Sequence, residues 1–355
     1  MSQTSSSQVT IAVDAMGGDK GLKVSVAGCA LALKQVEDFN LVLVGDENRI
    51  KYYIKKHKLP SNRVRVVHAE EEVLMDDEPV FAMKNKKKSS MRIAINLVKD
   101  GEADACISAG NTGALMATAK FVLKTLPGID RPALISLMPG VRKNGSLKMT
   151  TTYMLDLGAN IDCSVENLCQ FAMMGTILSQ KIKKVKSPRV KLLNIGSEEF
   201  KGLGVIKETS AALDDMKNIN YKGYIEANEI FFNAADVIVC DGFIGNIALK
   251  SSEGLAKYIR SVTEDTFKGK WFYKPFVWLG YLFFSPVLLS LKNRLDPHQY
   301  NGASLLGLKG VVIKSHGNTN KVGFENALLE AVNEAKNDIP NQISAILARR
   351  LKVDG

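Results

Sequence analysis

Histidine and cysteine are scarce in this chain of 355 residues, with four and five copies, and neither is grouped. No two histidines stand at a spacing that would share a metal ion, and Cys29, Cys106, Cys163, Cys169 and Cys240 include no Cys-x-x-Cys pair. A zinc centre therefore has no basis in the residue pattern, and no metal is expected. Three of the cysteines lie within or just after apolar runs, which reads as buried free thiols in a reducing cytosol. No Gly-x-Ser-x-Gly elbow and no convincing Cys–His pair occur, so a covalent nucleophile has no support either. The absence of Gly-x-Gly-x-x-Gly weighs against a nicotinamide-dependent dehydrogenase, the main enzymatic alternative, and no cofactor is expected. Repeats and low-complexity linkers are missing. The opening MSQTSSSQ has no apolar core, so residues 1–8 are expected to be a frayed tail and not a signal peptide.

What is present is a basic α/β pattern. Forty-seven Lys and Arg face 37 Asp and Glu, a net charge of +10 that favours an anionic partner. Short β-branched runs alternate with helical periodicity almost throughout. Strands are expected in VTIAVDA (9–15), LVLVG (41–45), RVRVVHA (63–69), ADACISAG (103–110) and ALISLMPG (133–140). Further strands are expected in TTYMLDLG (151–158), VKLLNIG (190–196), ADVIVCDG (235–242) and GVVIKSHG (310–317). Helices are expected over 89–101 and 111–126, where apolar residues recur at three and four. Near-continuous apolar strands joined by helices predict a three-layer α/β/α sandwich with a mostly parallel sheet, as one domain over 9–345.

Ligands in such folds gather beyond the carboxyl ends of the strands. Here these ends share a vocabulary of Gly, Asn, Asp and Ser: DAMGGD, SAGNTGA, LDLGAN, NIGSEEFKG, CDGFIGN and SHGN. Six such loops are expected to converge on one edge and form a site. Gly110, Asn111, Thr112 and Gly113 run into a helix and could present N–H groups and a positive helix end to an anion; a plain cap by Asn111 or Thr112 is the bland alternative. Asp14, Gly17, Gly18 and Asp19 form a weaker glycine turn, and Asn160 lies in LDLGAN. Lys201 follows a strand, where a lone lysine is usually solvated surface. Asn246 in DGFIGN competes with a helix-cap reading, and His316 with that of a loop histidine. The basic runs KNKKK (84–88) and KIKKVKSPRVK (181–191) lack an aromatic platform, so no nucleic-acid partner is expected.

In combination DAMGGD, SSM, SAGNTGALM, RPAL, LDLGAN, LLNIGSEEFKG, EANE, DGFIGN and YNGASLLGLKGVVIKSHG resemble the phosphate acyltransferases of bacterial phospholipid synthesis, over roughly residues 9 to 345. The resemblance implies a Rossmann-like fold of the phosphate acetyltransferase and isocitrate dehydrogenase type. It also implies transfer of a fatty acyl group from acyl carrier protein to inorganic phosphate, a homodimer, and a glycerol-3-phosphate acyltransferase acting downstream. Matched by motif, Lys201 and the Gly245–Asn246 pair carry the family's conserved positions. Lys201 would neutralise phosphate and developing charge, and Asn246 would donate to the thioester carbonyl. Residues 110–113 would cradle phosphate, with Arg131 and His316 as supporting donors. Where the family usually has DGFTGN, Ile244 stands here. Residues 141–150 match none of its motifs.

One stretch, WFYKPFVWLGYLFFSPVLLSL (271–291), is more apolar than the rest. Its uninterrupted part is sixteen residues with Pro286 inside it, short of the roughly 20 needed to span about 30 Å of hydrocarbon. Crossing would also strand the strand near 310–317 away from its sheet. Trp271, Phe272, Phe276, Trp278, Leu279, Phe283 and Phe284, flanked by lysines, are instead expected to form an interfacial hairpin over 268–294 on an anionic membrane surface. The protein is thus expected to be cytoplasmic and peripheral to the inner face of the membrane; a non-catalytic membrane scaffold would leave the glycine loops unexplained.

Overall fold

The computed structural model describes residues 8–141, 149–268 and 296–351. The tail up to residue 7, the middle of the 141–150 segment and the whole apolar stretch, with all seven residues expected at the membrane, lie outside the described residues. Eleven strands and ten α-helices are described. The strands are β1 (Val9–Asp14), β2 (Phe39–Gly45), β3 (Val64–His68), β4 (Ala105–Ser108), β5 (Ala133–Gly140), β6 (Thr150–Leu155), β7 (Arg189–Leu193), β8 (Asn220–Ile225), β9 (Val237–Val239), β10 (Ala303–Leu306) and β11 (Val311–Lys314). The helices are α1 (Leu22–Gln35), α2 (Glu47–His57), α3 (Pro79–Asn85), α4 (Ser90–Lys99), α5 (Thr112–Leu123), α6 (Val165–Lys181), α7 (Gly204–Asp214), α8 (Gly242–Lys268), α9 (Lys321–Lys336) and α10 (Ile339–Leu351).

All strands join one sheet in the order β3-β2-β1-β4-β11-β10-β5-β6-β9-β7-β8. Each predicted strand is present, with its bounds shifted by one to a few residues. Two were missed. NYKGYI (β8) is interrupted by Gly223 at φ 71, and ASLL (β10) is only four residues long. Alternate residues of β1 enter different cores: Ile11 and Val13 pack with α1 and α9, and Ala12 with α4 and α5. Burial on both faces is why these strands read as unbroken apolar runs.

The pairing corrects one expectation. β5 is antiparallel to both β6 and β10, and β10 is antiparallel to β11. The parallel group β3-β2-β1-β4-β11 therefore runs opposite to the parallel group β6-β9-β7-β8. The six glycine loops do not leave one edge; they leave the sheet in two directions, three on each side. Strand direction depends on long-range pairing, which local periodicity does not encode.

Candidate functional site

The first loop set follows β1, β4 and β11. Asp14, Ser108 and Lys314 end these adjacent strands in register, as one polar row on one face of the sheet. Asp14 is buried and accepts hydrogen bonds from Ser90 Oγ and Ser108 Oγ, both at 2.6 Å. Burial pushes its carboxyl pKa up, and these hydroxyls and the N–H groups of Gly17 and Met16 pull it back. Gly17 packs so tightly that a Cβ there would lie 2.6 Å from Asp14 Oδ2 and 2.7 Å from the Gly110 nitrogen. Gly18, at φ +89, abuts Ala109 and the Gly317 carbonyl, and Asp19 N–H donates to that carbonyl at 3.0 Å. Gly17 and Gly18 thus leave no room for a side chain where the loops meet, a closeness that only glycine permits here. A cavity of about 300 Å³ opens beside them, lined in part by Met16, Gly18, Asp19, Lys20 and Arg49.

Asn111 is the N-cap of α5, its Oδ1 accepting from Ala114 N–H at 3.0 Å while its Nδ2 donates to the carbonyls of Met75 and Asp77. The Gly110 N–H is engaged by Ser108 Oγ. The expected cradle is therefore narrower than residues 110–113: Thr112 and Gly113 keep the N–H groups that a helix start leaves without intrahelical acceptors. His316, half exposed, meets Glu253 of α8 at 3.3 Å. Its loop is shaped by buried Asn301, which accepts from His316 N–H and donates to Ser315 Oγ, Thr319 Oγ1 and the Gly323 carbonyl.

The second set follows β6, β7 and β9. Asp156 is fully buried; its Oδ1 accepts from the N–H groups of Leu134, Gly158 and Ala159, and its Oδ2 from Asn160 N–H and Nδ2. Asn160 Nδ2 also reaches the Pro132 carbonyl, and the Asn160 carbonyl receives Gly242 N–H at 2.8 Å. LDLGAN is thus the seat on which α8 begins. Asp241, not Asn246, caps α8 by accepting Ile244 N–H at 2.8 Å. Asn246 is exposed in the first turn, against Gly158. Ile244, at the departure from the family pattern, packs against the apolar core. Arg131 is exposed and donates to the Asp162 carbonyl.

Lys201 lies in a loop stapled by Asn194, whose Nδ2 donates to the carbonyls of Gly196 and Lys201. Its ammonium pairs with Glu198 at 2.8 Å and is 40% exposed. The loops of Lys201 and Asn246 leave adjacent parallel strands, β7 and β9. Helix α8 then connects the two loop sets, since Glu253, which meets His316, stands seven residues after Asn246, about 10 Å along the axis. Asp156, Asn194, Asn301 and Lys314 escaped sequence reasoning. Only Lys314 carried a signal, a lysine closing an otherwise apolar strand.

The fold is that of a phosphotransacetylase-like α/β protein. A phosphotransacetylase from Streptococcus pyogenes superposes with a TM-score of 0.62 at 16% identity, covering 92% of this chain and 94% of that one. The EutD phosphotransacetylase from Staphylococcus aureus gives 0.57 at 14% identity, with 92% and 94% covered. At these identities the likeness concerns the fold. Sequence is more specific: residues 9–342 match the family described as "Fatty acid synthesis protein". A phosphate acyltransferase from Legionella pneumophila (strain Paris) is 51% identical over 93% of this chain and 94% of its own. One from Coxiella burnetii (strain RSA 493 / Nine Mile phase I) is 48% identical over 97% and 98%. The chain belongs to this family of acyltransferases.

Proposed function

We propose that the protein transfers a fatty acyl group from acyl carrier protein to inorganic phosphate, by direct attack and with no acyl-enzyme. The observation that carries the acyltransferase reading is the near full-length identity of about half to phosphate acyltransferases. Direct attack is supported by the thiols: Cys29, Cys106, Cys163 and Cys240 are buried, and burial pushes each thiol pKa up, that of Cys163 to about 11. A thiol kept protonated is a poor nucleophile, whereas phosphate is already an anion.

A phosphate oxygen attacks the thioester carbonyl carbon, and the carbonyl oxygen takes up negative charge. The C–S bond then breaks, releasing acyl phosphate and a thiolate that is protonated by solvent. The protein's tasks are positioning and charge stabilisation. We assign Asn246 to the thioester carbonyl and Lys201 to the developing charge, with Arg131 and Asn160 shaping their surroundings. The loops at Gly17 and Gly18, the N–H groups of Thr112 and Gly113, and His316 would take the phosphate, with Asp19 bordering the turn beside it. Ile161, Ile195, Phe200, Leu203 and Phe243, each more than half exposed around Lys201 and Asn246, suit a long acyl chain. A homodimer, contact of the segment near 268–294 with anionic membrane, and delivery of acyl phosphate to a glycerol-3-phosphate acyltransferase complete the reading; among the described residues no helix is long and apolar enough to cross a membrane.

The test is incubation of the purified protein with acyl carrier protein thioester and phosphate. Equal yields of free carrier thiol and acyl phosphate are expected, with no acylated cysteine peptide after acid quench. Thiol release without acyl phosphate would refute the function, and a trapped acyl-cysteine would refute direct attack alone.

A further inference from the structure

Lys314 ends β11 in the row with Ser108 and Asp14, yet it makes no ion pair within 4 Å among the described residues. Its side chain lies under the first loop set, only 9% of the residue exposed, and Nζ donates to the carbonyls of Ala109 at 3.3 Å and of Ser315. An ammonium has three donors; two are held by backbone carbonyls, one from each of the loops SAGN and SHGN. The nearby carboxylate, Asp14, has its oxygens occupied by Ser90, Ser108 and the backbone of its own turn. A buried cation without a direct counter-ion costs stability, and such groups concentrate at functional sites.

We infer that Lys314 is the positioning residue of the phosphate half of the reaction: it ties the SAGN and SHGN loops together from below and supplies the positive potential that holds phosphate between them. This rests on the reading of phosphate as acceptor given above. Gly18 and Gly317 close over Ala109, whose carbonyl Lys314 holds, and a cavity lined in part by Gly18 and Asp19 lies beside them. The groups facing the ammonium are Asp14 on β1, Asp19 after it, and Lys250 on α8, itself paired with Glu253. Desolvation lowers the Lys314 pKa to about 8, against the pull of Asp14 and Asp19 and with the repulsion of Lys250. The charge is therefore present at neutral pH and lost as pH rises through about 8.

The experiment measures kcat/KM for phosphate and for thioester from pH 7 to 9.5, together with the rise in Tm produced by inorganic phosphate alone. In the wild-type protein the phosphate kcat/KM and the phosphate-induced Tm rise should both fall above about pH 8, with the thioester KM unchanged. K314R, always charged, should keep phosphate binding through pH 9.5, and K314M should raise the phosphate KM about tenfold or more at pH 7, a gap that closes toward pH 9.5 as wild type loses its charge. A flat wild-type profile, or an inflection near 8 that persists in K314R, overturns the inference. The wild-type profile needs no variant to fold. The Tm readout needs no acyl transfer, so failure to form acyl phosphate would count against the function reading and leave the role of Lys314 separately decided.

Discussion

Gly245 and Gly254 lie nine residues apart on α8, and replacing each with alanine should have opposite effects. A Cβ at Gly245 would fall 2.9 Å from Cys240 Sγ and 3.0 Å from the Asp156 carbonyl carbon, with that carbonyl oxygen closer still. None of these atoms is the free end of a flexible side chain: Asp156 is held by five donors and Cys240 is buried. Relief requires the first turn of α8 to move by about 1 Å, as overpacked sites commonly do at about 1–3 kcal/mol. That movement pulls on the Gly242–Asn160 and Ile244–Asp241 hydrogen bonds, worth about 1 kcal/mol each. G245A should therefore cost about 2–4 kcal/mol, a Tm loss of roughly 3–5 °C for a chain this size. Because Asn246 rides on the displaced turn, acyl transfer should fall about 100-fold even in the folded variant. At Gly254 a Cβ meets nothing within 4 Å, so G254A should gain about 0.5–1 kcal/mol from helix propensity and keep full activity. Urea melts and the thiol-release assay read both variants. Equal stability of G245A and wild type, or equal losses in both variants, would refute the packing reasoning.

Lys201→Ala should lower turnover by about 100–1,000-fold with an unchanged melt, because the side chain is partly exposed and paired only within its loop; normal turnover in the folded variant removes Lys201 from the mechanism. Glu253 is held down to about pKa 2, first by its hydrogen bond to His316 and then by Lys250. A lowered carboxyl pKa contributes stability at neutral pH that is lost as pH falls from about 5 to 2. E253Q should thus be less stable than wild type at pH 7 and equal to it near pH 2, as read by urea melts; a constant difference would contradict the ion pair. Leu279→Glu with Phe283→Glu should release the protein from anionic vesicles, each large apolar side chain contributing roughly 1.5–3 kcal/mol to insertion. Added salt should weaken wild-type binding only in part, and unchanged flotation of the double variant would rule out the interfacial hairpin.

Nine of the eleven strands, the α/β class and the loop vocabulary were legible in the amino-acid order, because strands buried on both faces must be apolar throughout and strand ends in this fold need Gly and Asn. The Asn111 cap was equally readable, since the N–H it accepts from, that of Ala114, lies three residues further on. The direction of strands was not. Three successive antiparallel pairs, β11 with β10, β10 with β5 and β5 with β6, reverse half of the sheet, and the decision rests on pairing between distant segments. For the same reason the two loop sets seemed to share an edge, whereas α8 is what links them. Asp156, Asn301 and Lys314 look ordinary in the chain and gain their roles only when folding removes water around them; Lys314 also takes a partner, the Ala109 carbonyl, from a loop far away in sequence. The cost of burying a charge or a polar amide is set by that three-dimensional enclosure, which no local pattern records.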